Sequence, residues 1–470
     1  MPEERDFLAN HKLNHIRRYE EMIRNNTTCY FDVDQFEEII DYYMLHNKTG
    51  KALRAVFHAT EQHPSATSIC LKKAQVLNDK GEPREALGIL RSIESIEASN
   101  PEVYFTKGIA LYKSGNSEDA LDQFRIAIRI ATDSKSEMIS NIAMFFEQQG
   151  KLDMALNYFH MAYNEDPGNA SLLYDLAWCY ERREDFEKSS RYYELYLDFD
   201  PFSPSVWYNL GIIYNLTGRH EKAIESYDYA IAIEDDFSSA YFNKAGILAN
   251  MSRYRQAINV YFELMELEPG NEEVAASIGE CYEKIEKWDE ARDFYSRALE
   301  INPRYAGAWL GLGMILAGQN RISESLYFVK KAVELEPCNP EFWKTLGNIY
   351  IRLEFSGRAL EAFSNTVKLD PSDNESWLII ADIYNQRKQT AKSAEILEKI
   401  SEGDPGNTLV NYRLAAYWLI LGKHEKAHNY LESAVKRDYS MHHEFFNTLP
   451  EGSENELLKN MIKKYKANRK

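Results

Sequence analysis

The sequence has few residues that break regular structure, few cysteines and no long apolar run. With 22 Gly and 14 Pro among 470 residues, little of the chain is left for long loops. No window approaches the roughly 20 apolar residues of a membrane-spanning helix, and the first residues lack the apolar stretch of a secretory signal. The five cysteines are scattered without a C-x-x-C pair, which favours reduced thiols over a disulfide or metal framework. These absences predict a cytoplasmic protein without a transmembrane segment.

Positive charge is also scarce. The formal net charge is −18, from 55 Lys and Arg against 73 Asp and Glu. Nucleic acids are bound by basic stripes that release counterions from phosphates, so we do not expect a nucleic-acid partner. An acidic surface attracts basic segments instead. The charge therefore predicts a protein or extended-peptide partner and favours a basic one.

Catalytic and nucleotide-binding motifs are missing as well. The sequence has no H-E-x-x-H, no G-x-S-x-G and no G-x-x-x-x-G-K-[ST], and Gly311-Leu-Gly313 lies within a predicted helix. His11 and His15 are four residues apart but have no third ligand residue beside them, which favours surface residues over a metal site. We therefore expect no cofactor, no metal and no catalytic residues.

What the sequence does contain is a repeat with a period of 34 residues. With a single extra residue between the third and fourth, its units begin at residues 33, 67, 101, 136, 170, 204, 238, 272, 306, 340, 374 and 408. The twentieth position is Ala or Ser in every unit, and the eighth is Gly or Ala in eleven of the twelve. Two antiparallel helices come close only where side chains are small, so this spacing predicts a helical hairpin in each unit.

Large residues and turn residues occupy complementary positions. Aromatic side chains recur at positions four, eleven and twenty-four, Gly or Asn is common at position fifteen, and Pro stands at position thirty-two in eight units. We expect position fifteen to end the first helix in a left-handed turn, and the Pro to end the second helix.

This pattern resembles the tetratricopeptide repeat, and the segment from Trp207 to Glu234 nearly reproduces the consensus of that family. The resemblance covers residues 33–441, with the largest departures in the end units. It implies an all-α fold, a right-handed α-solenoid superhelix of about twelve helical hairpins with capping helices. We expect residues 1–32 to form an N-terminal capping helix and residues 442–470 a basic C-terminal one. Because neither remnant can hold a catalytic domain of ordinary size, we do not expect an enzyme.

In the family that this chain resembles, the first helices line a concave groove, and positions two, five, six, nine and twelve point into it. Asn donates and accepts hydrogen bonds at once, so a row of Asn suits the amides of an extended peptide, with aromatic neighbours adding apolar contact. The resemblance places this candidate site in the fourth to seventh units, at Asn141, Tyr174, Asp175, Trp178, Tyr208, Asn209, Phe242 and Asn243. The same residue types also belong to the family consensus, where they imply no particular ligand.

A weaker candidate is the dicarboxylate clamp with which some members of that family hold the C-terminus of chaperones. Lys344 and Asn348 match its first pair and Arg413 its last member. Ile379 and Leu409 stand where the clamp requires an Asn and a Lys, so the match is incomplete.

The sequence thus predicts a scaffold or adaptor that binds other polypeptides in a groove. The alternative is a permanent structural subunit of a larger assembly, self-associating through its terminal repeats as a homo-oligomer. An enzyme with its site on the repeat surface is the least favoured of the three.

Overall fold

A computed structural model describes residues 2–449, with side chains from Asn14 onward. In that range the chain forms 26 α-helices and one 3₁₀ helix, Tyr439–His442, without any strand. The prediction of an all-helical fold is therefore confirmed. Two compact units divide the chain between Asp235 and Asp236.

The helices of the first unit pair along the chain after an N-terminal single helix. They are α1 Pro2–Asn25, α2 Val33–Leu45, α3 Thr49–Gln62, α4 Thr67–Lys80, α5 Pro83–Ile93, α6 Pro101–Lys113, α7 Ser117–Ile130, α8 Lys135–Gln148, α9 Leu152–Glu165, α10 Ala170–Arg182, α11 Phe186–Phe199, α12 Pro204–Leu216 and α13 His220–Ile233.

The second unit repeats the arrangement. Its helices are α14 Ser238–Asn250, α15 Tyr254–Leu267, α16 Glu272–Lys284, α17 Trp288–Ile301, α18 Ala306–Gly318, α19 Ile322–Leu335, α20 Pro340–Arg352, α21 Ser356–Leu369, α22 Asn374–Gln386, α23 Thr390–Gly403, α24 Thr408–Ile420, α25 His424–Arg437 and α26 His443–Thr448.

Glycine at the eighth position of a first helix lies against an aromatic ring of the second helix in the same hairpin. A Cβ atom on Gly211 would lie 2.7 Å from Cε1 of Tyr227, and one on Gly347 would lie 2.8 Å from Cε2 of Phe363. Both rings are buried. The ring therefore fills the space that a side chain on the first helix would need, and the two backbones come close.

The twentieth position carries a second link between paired helices where Ser replaces Ala. The Ser325 hydroxyl donates to the carbonyl oxygen of Gly313 at 2.7 Å, and that of Ser393 to the carbonyl oxygen of Ala381 at 2.6 Å. Ser189 is as deeply buried at the same position, but its hydroxyl has no hydrogen-bond partner among the atoms that the structure describes.

At four junctions a tryptophan forms a hydrogen bond with the end of the preceding hairpin. The Nε1 atoms of Trp207 and Trp309 each donate at 2.9 Å to the carbonyl oxygen of the proline that follows the preceding hairpin, Pro201 or Pro303. Trp343 and Trp377 make the same bond to Pro337 and Pro371. The recurrent Trp and Pro of the sequence are therefore hydrogen-bonded to each other at these junctions.

The turn inside each hairpin has a left-handed residue at position fifteen. These residues, all with positive φ, are Asn47, Gly81, Gly115, Gly150, Glu184, Gly218, Ser252, Glu286, Asn320, Glu354, Lys388 and Gly422. Five of them are neither Gly nor Asn, so the stacked helices impose the turn even on residues that disfavour it.

The two predicted caps are described to different extents. Ile16, Tyr19 and Met22 of α1 are buried in one cluster with residues of α2 and α3, and α26 ends at Thr448. The rest of the predicted C-terminal helix, from residue 450 onward, lies outside the described residues. The assignment of residues 1–32 and 442–470 as caps of twelve repeats stays a prediction.

Candidate functional site

Six of the eight predicted groove residues lie in the first unit, on the first helices α8, α10 and α12. They are Asn141 in α8, Tyr174, Asp175 and Trp178 in α10, and Tyr208 and Asn209 in α12.

α10 presents three of these side chains on one face. Trp178 is four residues after Tyr174 and three after Asp175, which places its side chain next to both on the surface of the α-helix. The Trp178 side chain is 43% exposed, while Tyr174 and Asp175 are half-buried. Leu173 and Leu176 anchor the helix in the core. The site is thus an exposed indole one turn away from a carboxyl group.

Side-chain bonds join α10 to the first helices on either side. Arg182 at the end of α10 forms an ion pair with Glu147 of α8. Asn209 of α12 donates from Nδ2 to the Tyr174 hydroxyl at 3.2 Å. The three helices therefore share one face, with Asp175 on the middle helix.

Asn209 has an internal role that the sequence did not reveal. Its Nδ2 also lies 3.4 Å from the hydroxyl oxygen of Tyr193, which in turn donates to Glu181 at 3.1 Å. Both amide hydrogens of Asn209 are thus used within the chain, and Oδ1 is the atom left for a ligand. In this geometry Oδ1 of Asn209 is the atom that can accept a hydrogen bond from a peptide, and the place of Asn209 in a peptide-binding site stays a prediction.

The same kind of contact recurs in the second unit. The Tyr261 hydroxyl hydrogen-bonds the side chain of Ser277, and Tyr295 donates to Glu283 at 2.9 Å. Tyr193 and Tyr261 both stand at position twenty-four and contact position six of the next repeat. A polar residue at six following Tyr at twenty-four was the sequence signal for this bond, so part of the polar row at position six holds neighbouring repeats together.

Asp175 is electrostatically unusual among the predicted residues. It makes no hydrogen bond or ion pair with the side chains described. Burial raises the pKa of Asp175 from 3.8 to about 6, and the nearby Glu147 carboxylate adds to the rise. Burial likewise raises the pKa of Glu181, although the hydrogen bond from Tyr193 opposes it. A cationic group bound beside Asp175 would stabilise its ionised form.

Phe242 and Asn243, the remaining predicted residues, are half-buried in α14 of the second unit. The Phe242 ring packs edge-on against Tyr261 of α15, with ring centroids 5.8 Å apart. That all eight residues belong to one binding site stays a prediction.

The two cationic clamp candidates, Lys344 and Arg413, form ion pairs within the chain. Lys344 Nζ lies 2.8 Å from a Glu375 carboxylate oxygen and 3.3 Å from one of Asp373. Arg413 pairs with Asp382 at 2.8 Å, and Asn348 is exposed. A clamp needs its cations to face a ligand carboxylate, so a ligand would have to displace these internal ion pairs. The clamp stays a prediction.

The described part of the chain contains neither a metal-binding cluster nor a membrane-spanning helix. Between residues 14 and 449, no group of three or more His, Cys, Asp and Glu side chains is placed to hold a metal ion. None of the described helices combines the length and apolarity that crossing a membrane requires.

Stacked antiparallel helix pairs of constant length define each unit as a helical-repeat solenoid. Three family models, each described as tetratricopeptide repeat, match residues 204–237 and 275–305, residues 147–212, and residues 344–408. Tetratricopeptide repeats therefore occupy these segments of the chain. Repeats of this kind are typical of protein-interaction scaffolds, and they place this chain in that general class.

Several solved structures resemble parts of this chain, whereas no curated protein matches it. The C-terminal part of a repeat protein from Cytophaga hutchinsonii is 19% identical and covers 52% of this chain and 99% of its own, with a TM-score of 0.43. A tetratricopeptide repeat protein from Parabacteroides merdae is 14% identical over 52% of this chain and 97% of its own, also with a TM-score of 0.43. YrrB, a tetratricopeptide repeat protein, is 19% identical over 39% of this chain and 95% of its own, with a TM-score of 0.31.

Proposed function

We propose that this protein is an interaction scaffold that binds an extended, basic segment of a partner polypeptide on the shared face of α8, α10 and α12. The observation that carries the proposal is the pair on α10. Asp175 is a half-buried carboxyl group without a partner among the described side chains, and Trp178 exposes its indole one turn away.

A Lys or Arg side chain satisfies both groups at once. Its charge compensates the Asp175 carboxylate, whose pKa of about 6 reflects burial without a compensating cation. Its aliphatic stem and charged head lie over the Trp178 ring, where the electron-rich face attracts cations. An exposed Trp beside a charged anchor is the composition typical of binding hot spots.

The neighbouring helices supply contacts for the peptide backbone. Asn209 Oδ1 is available to accept a peptide N–H, since the amide hydrogens of Asn209 are already bonded to Tyr174 and Tyr193. Asn141 lies half-buried on α8 and adds a second amide. The net charge of −18 favours the approach of a basic segment over long distances. The alternative of a self-associating structural subunit and the cytoplasmic location stay predictions.

The proposal is tested with peptides selected from a random display library on the full chain. Affinities of the enriched peptides are measured by fluorescence anisotropy for the wild type and for single variants. We expect enrichment of Lys and Arg, and a Kd about tenfold higher for Asp175→Asn and for Trp178→Ala, because each loses a charge-assisted or cation–π contact. Trp288→Ala is the matched control, since Trp288 is 37% exposed but begins a second helix, α17.

The pH dependence gives a second readout. Binding of a basic peptide should strengthen as the pH rises through about 6, where Asp175 ionises, and Asp175→Asn should remove that dependence. The proposal is wrong if the enriched peptides are not basic, or if Trp178→Ala and Trp288→Ala bind them equally well.

A further inference from the structure

A separate cavity of about 230 Å³ lies at the N-terminal end of the first unit, between α1, α2 and α3. Its polar lining residues are Tyr19, Glu20, Arg24, Tyr43, Lys51 and Arg54. None of them belongs to the face formed by α8, α10 and α12.

The lining is cationic although the protein is acidic. Arg24, Lys51 and Arg54 stand against a single carboxylate, Glu20, in a chain with a net charge of −18. Glu20 is paired with Lys51 at 2.8 Å. Neither arginine forms an ion pair or hydrogen bond with the side chains described. The cavity is therefore bordered by two exposed guanidinium groups that have no ion-pair partner among the described side chains.

A buried hydroxyl in the same cavity has no partner among the side chains from Asn14 onward. Tyr19 is 2% exposed, its ring packs edge-on against Phe31 and Phe36, and its hydroxyl oxygen makes no hydrogen bond with these described residues. Burial raises the pKa of Tyr19, and the Arg54 charge opposes the rise. Arg54 is therefore close enough to the Tyr19 hydroxyl to interact with it electrostatically. Buried polar groups are nearly always bonded, which makes this one a candidate ligand contact.

The neighbouring tyrosine differs in this respect. The Tyr43 hydroxyl donates to Glu20 at 3.3 Å, and Lys51 lies over the Tyr43 ring, 5.4 Å from its centroid. Glu20, Tyr43 and Lys51 thus satisfy one another, which leaves the buried Tyr19 hydroxyl and the exposed Arg24 and Arg54 side chains without a partner among the described residues. The two guanidinium groups only donate hydrogen bonds, and the Tyr19 hydroxyl can donate one as well.

We propose that this cavity binds an oxyanion, the phosphate or carboxylate group of a partner molecule. The planar guanidinium fork matches both groups through paired hydrogen bonds. The Tyr19 hydroxyl donates a further bond to the same anion, which supplies its missing acceptor. The cavity binds an anion, whereas the proposed peptide face binds a cationic segment, so the two sites are independent.

Calorimetric titration of the full chain tests the site. Inorganic phosphate and N-acetylaspartate are titrated separately, in chloride buffer of matched ionic strength, and the one that binds saturably identifies the source of the anion. We expect Arg54→Gln and Arg24→Gln each to weaken binding about tenfold, because each removes a charged donor. Arg91→Gln, at an exposed arginine of α5, is the matched control and should leave the affinity unchanged.

Tyr19→Phe distinguishes a binding role from a structural one. The variant keeps the packed ring and removes only the unpartnered hydroxyl, so stability to urea without added anion should be unchanged or higher, while anion affinity falls. The proposal is overturned if neither anion binds the wild type more than chloride does. It is equally overturned if Arg91→Gln weakens binding as much as Arg54→Gln, or if Tyr19→Phe binds with the affinity of the wild type.

Discussion

The Gly211→Ala substitution places a methyl group against a ring that has little room to move. The new Cβ would lie 2.7, 2.9 and 3.0 Å from Cε1, Cζ and Cδ1 of Tyr227, and Tyr227 is only 1% exposed. Overpacking of this kind costs about 1–3 kcal/mol. Since three atoms of a buried ring are involved, we take about 2–3 kcal/mol as the relevant part of that range.

Helix propensity acts in the opposite direction. Ala is favoured over Gly inside a helix by about 1 kcal/mol, so replacing a glycine that is free of packing constraints by Ala stabilises the helix. The net effect expected for Gly211→Ala is a loss of about 1–2 kcal/mol. Gly246→Ala is the matched control, because its Cβ would meet no atom nearer than the Tyr261 hydroxyl at 4.0 Å.

Amide hydrogen exchange measured by mass spectrometry is the suitable assay, since helical-repeat proteins open locally and a single unfolding midpoint averages over many hairpins. Peptides from α12 and α13 should exchange about 5–30 times faster in Gly211→Ala, whereas peptides from α14 should exchange no faster in Gly246→Ala. If both substitutions slow exchange alike, the ring does not fill the space beside Gly211 and the packing described above is wrong.

Two further predictions concern buried polar groups. Ser189→Ala should leave the free energy of unfolding unchanged or higher because it removes an unpartnered hydroxyl, whereas Ser325→Ala should lower it by about 1 kcal/mol through the lost bond to Gly313; local hydrogen exchange distinguishes the two. The pKa of Asp175 is about 6 in the folded state, against the ordinary 3.8 in the unfolded chain. The unfolded chain therefore loses this proton at a lower pH than the folded chain does. As a result, the wild type loses stability as the pH rises from about 4 to above 6. Asp175→Asn should remove that loss, gaining at most about 3 kcal/mol at pH 8 and nothing below about pH 4, as urea unfolding at the two pH values would show.

Much of the fold could be predicted from the sequence because its packing is periodic. Small residues at positions eight and twenty predicted the hairpins, and the structure adds what the glycines face, such as Tyr227 for Gly211. The left-handed turn was predicted only where Gly or Asn stands. Glu286 and Lys388 adopt the same positive φ, because the stacked helices on either side dictate the turn and single-residue preferences do not.

The candidate site was less accessible to sequence reasoning. Residue type and position identified Asp175 and Trp178, but not that Asp175 lacks a partner or that its pKa is raised. The sequence also did not show that the amide hydrogens of Asn209 bond to tyrosines of neighbouring helices. The cavity beside Tyr19 had no signal in the repeat, because Tyr19 lies in α1, before the first repeat.

Whether a basic peptide lies against α10 is tested most directly by photocrosslinking. A benzophenone-bearing phenylalanine replaces Trp178 in one variant and Trp288 in another, and each is irradiated with the selected peptides. We predict a peptide adduct at position 178 and none at position 288. An adduct at 288 alone, or none at 178 while the peptide remains bound, would contradict the proposed binding face.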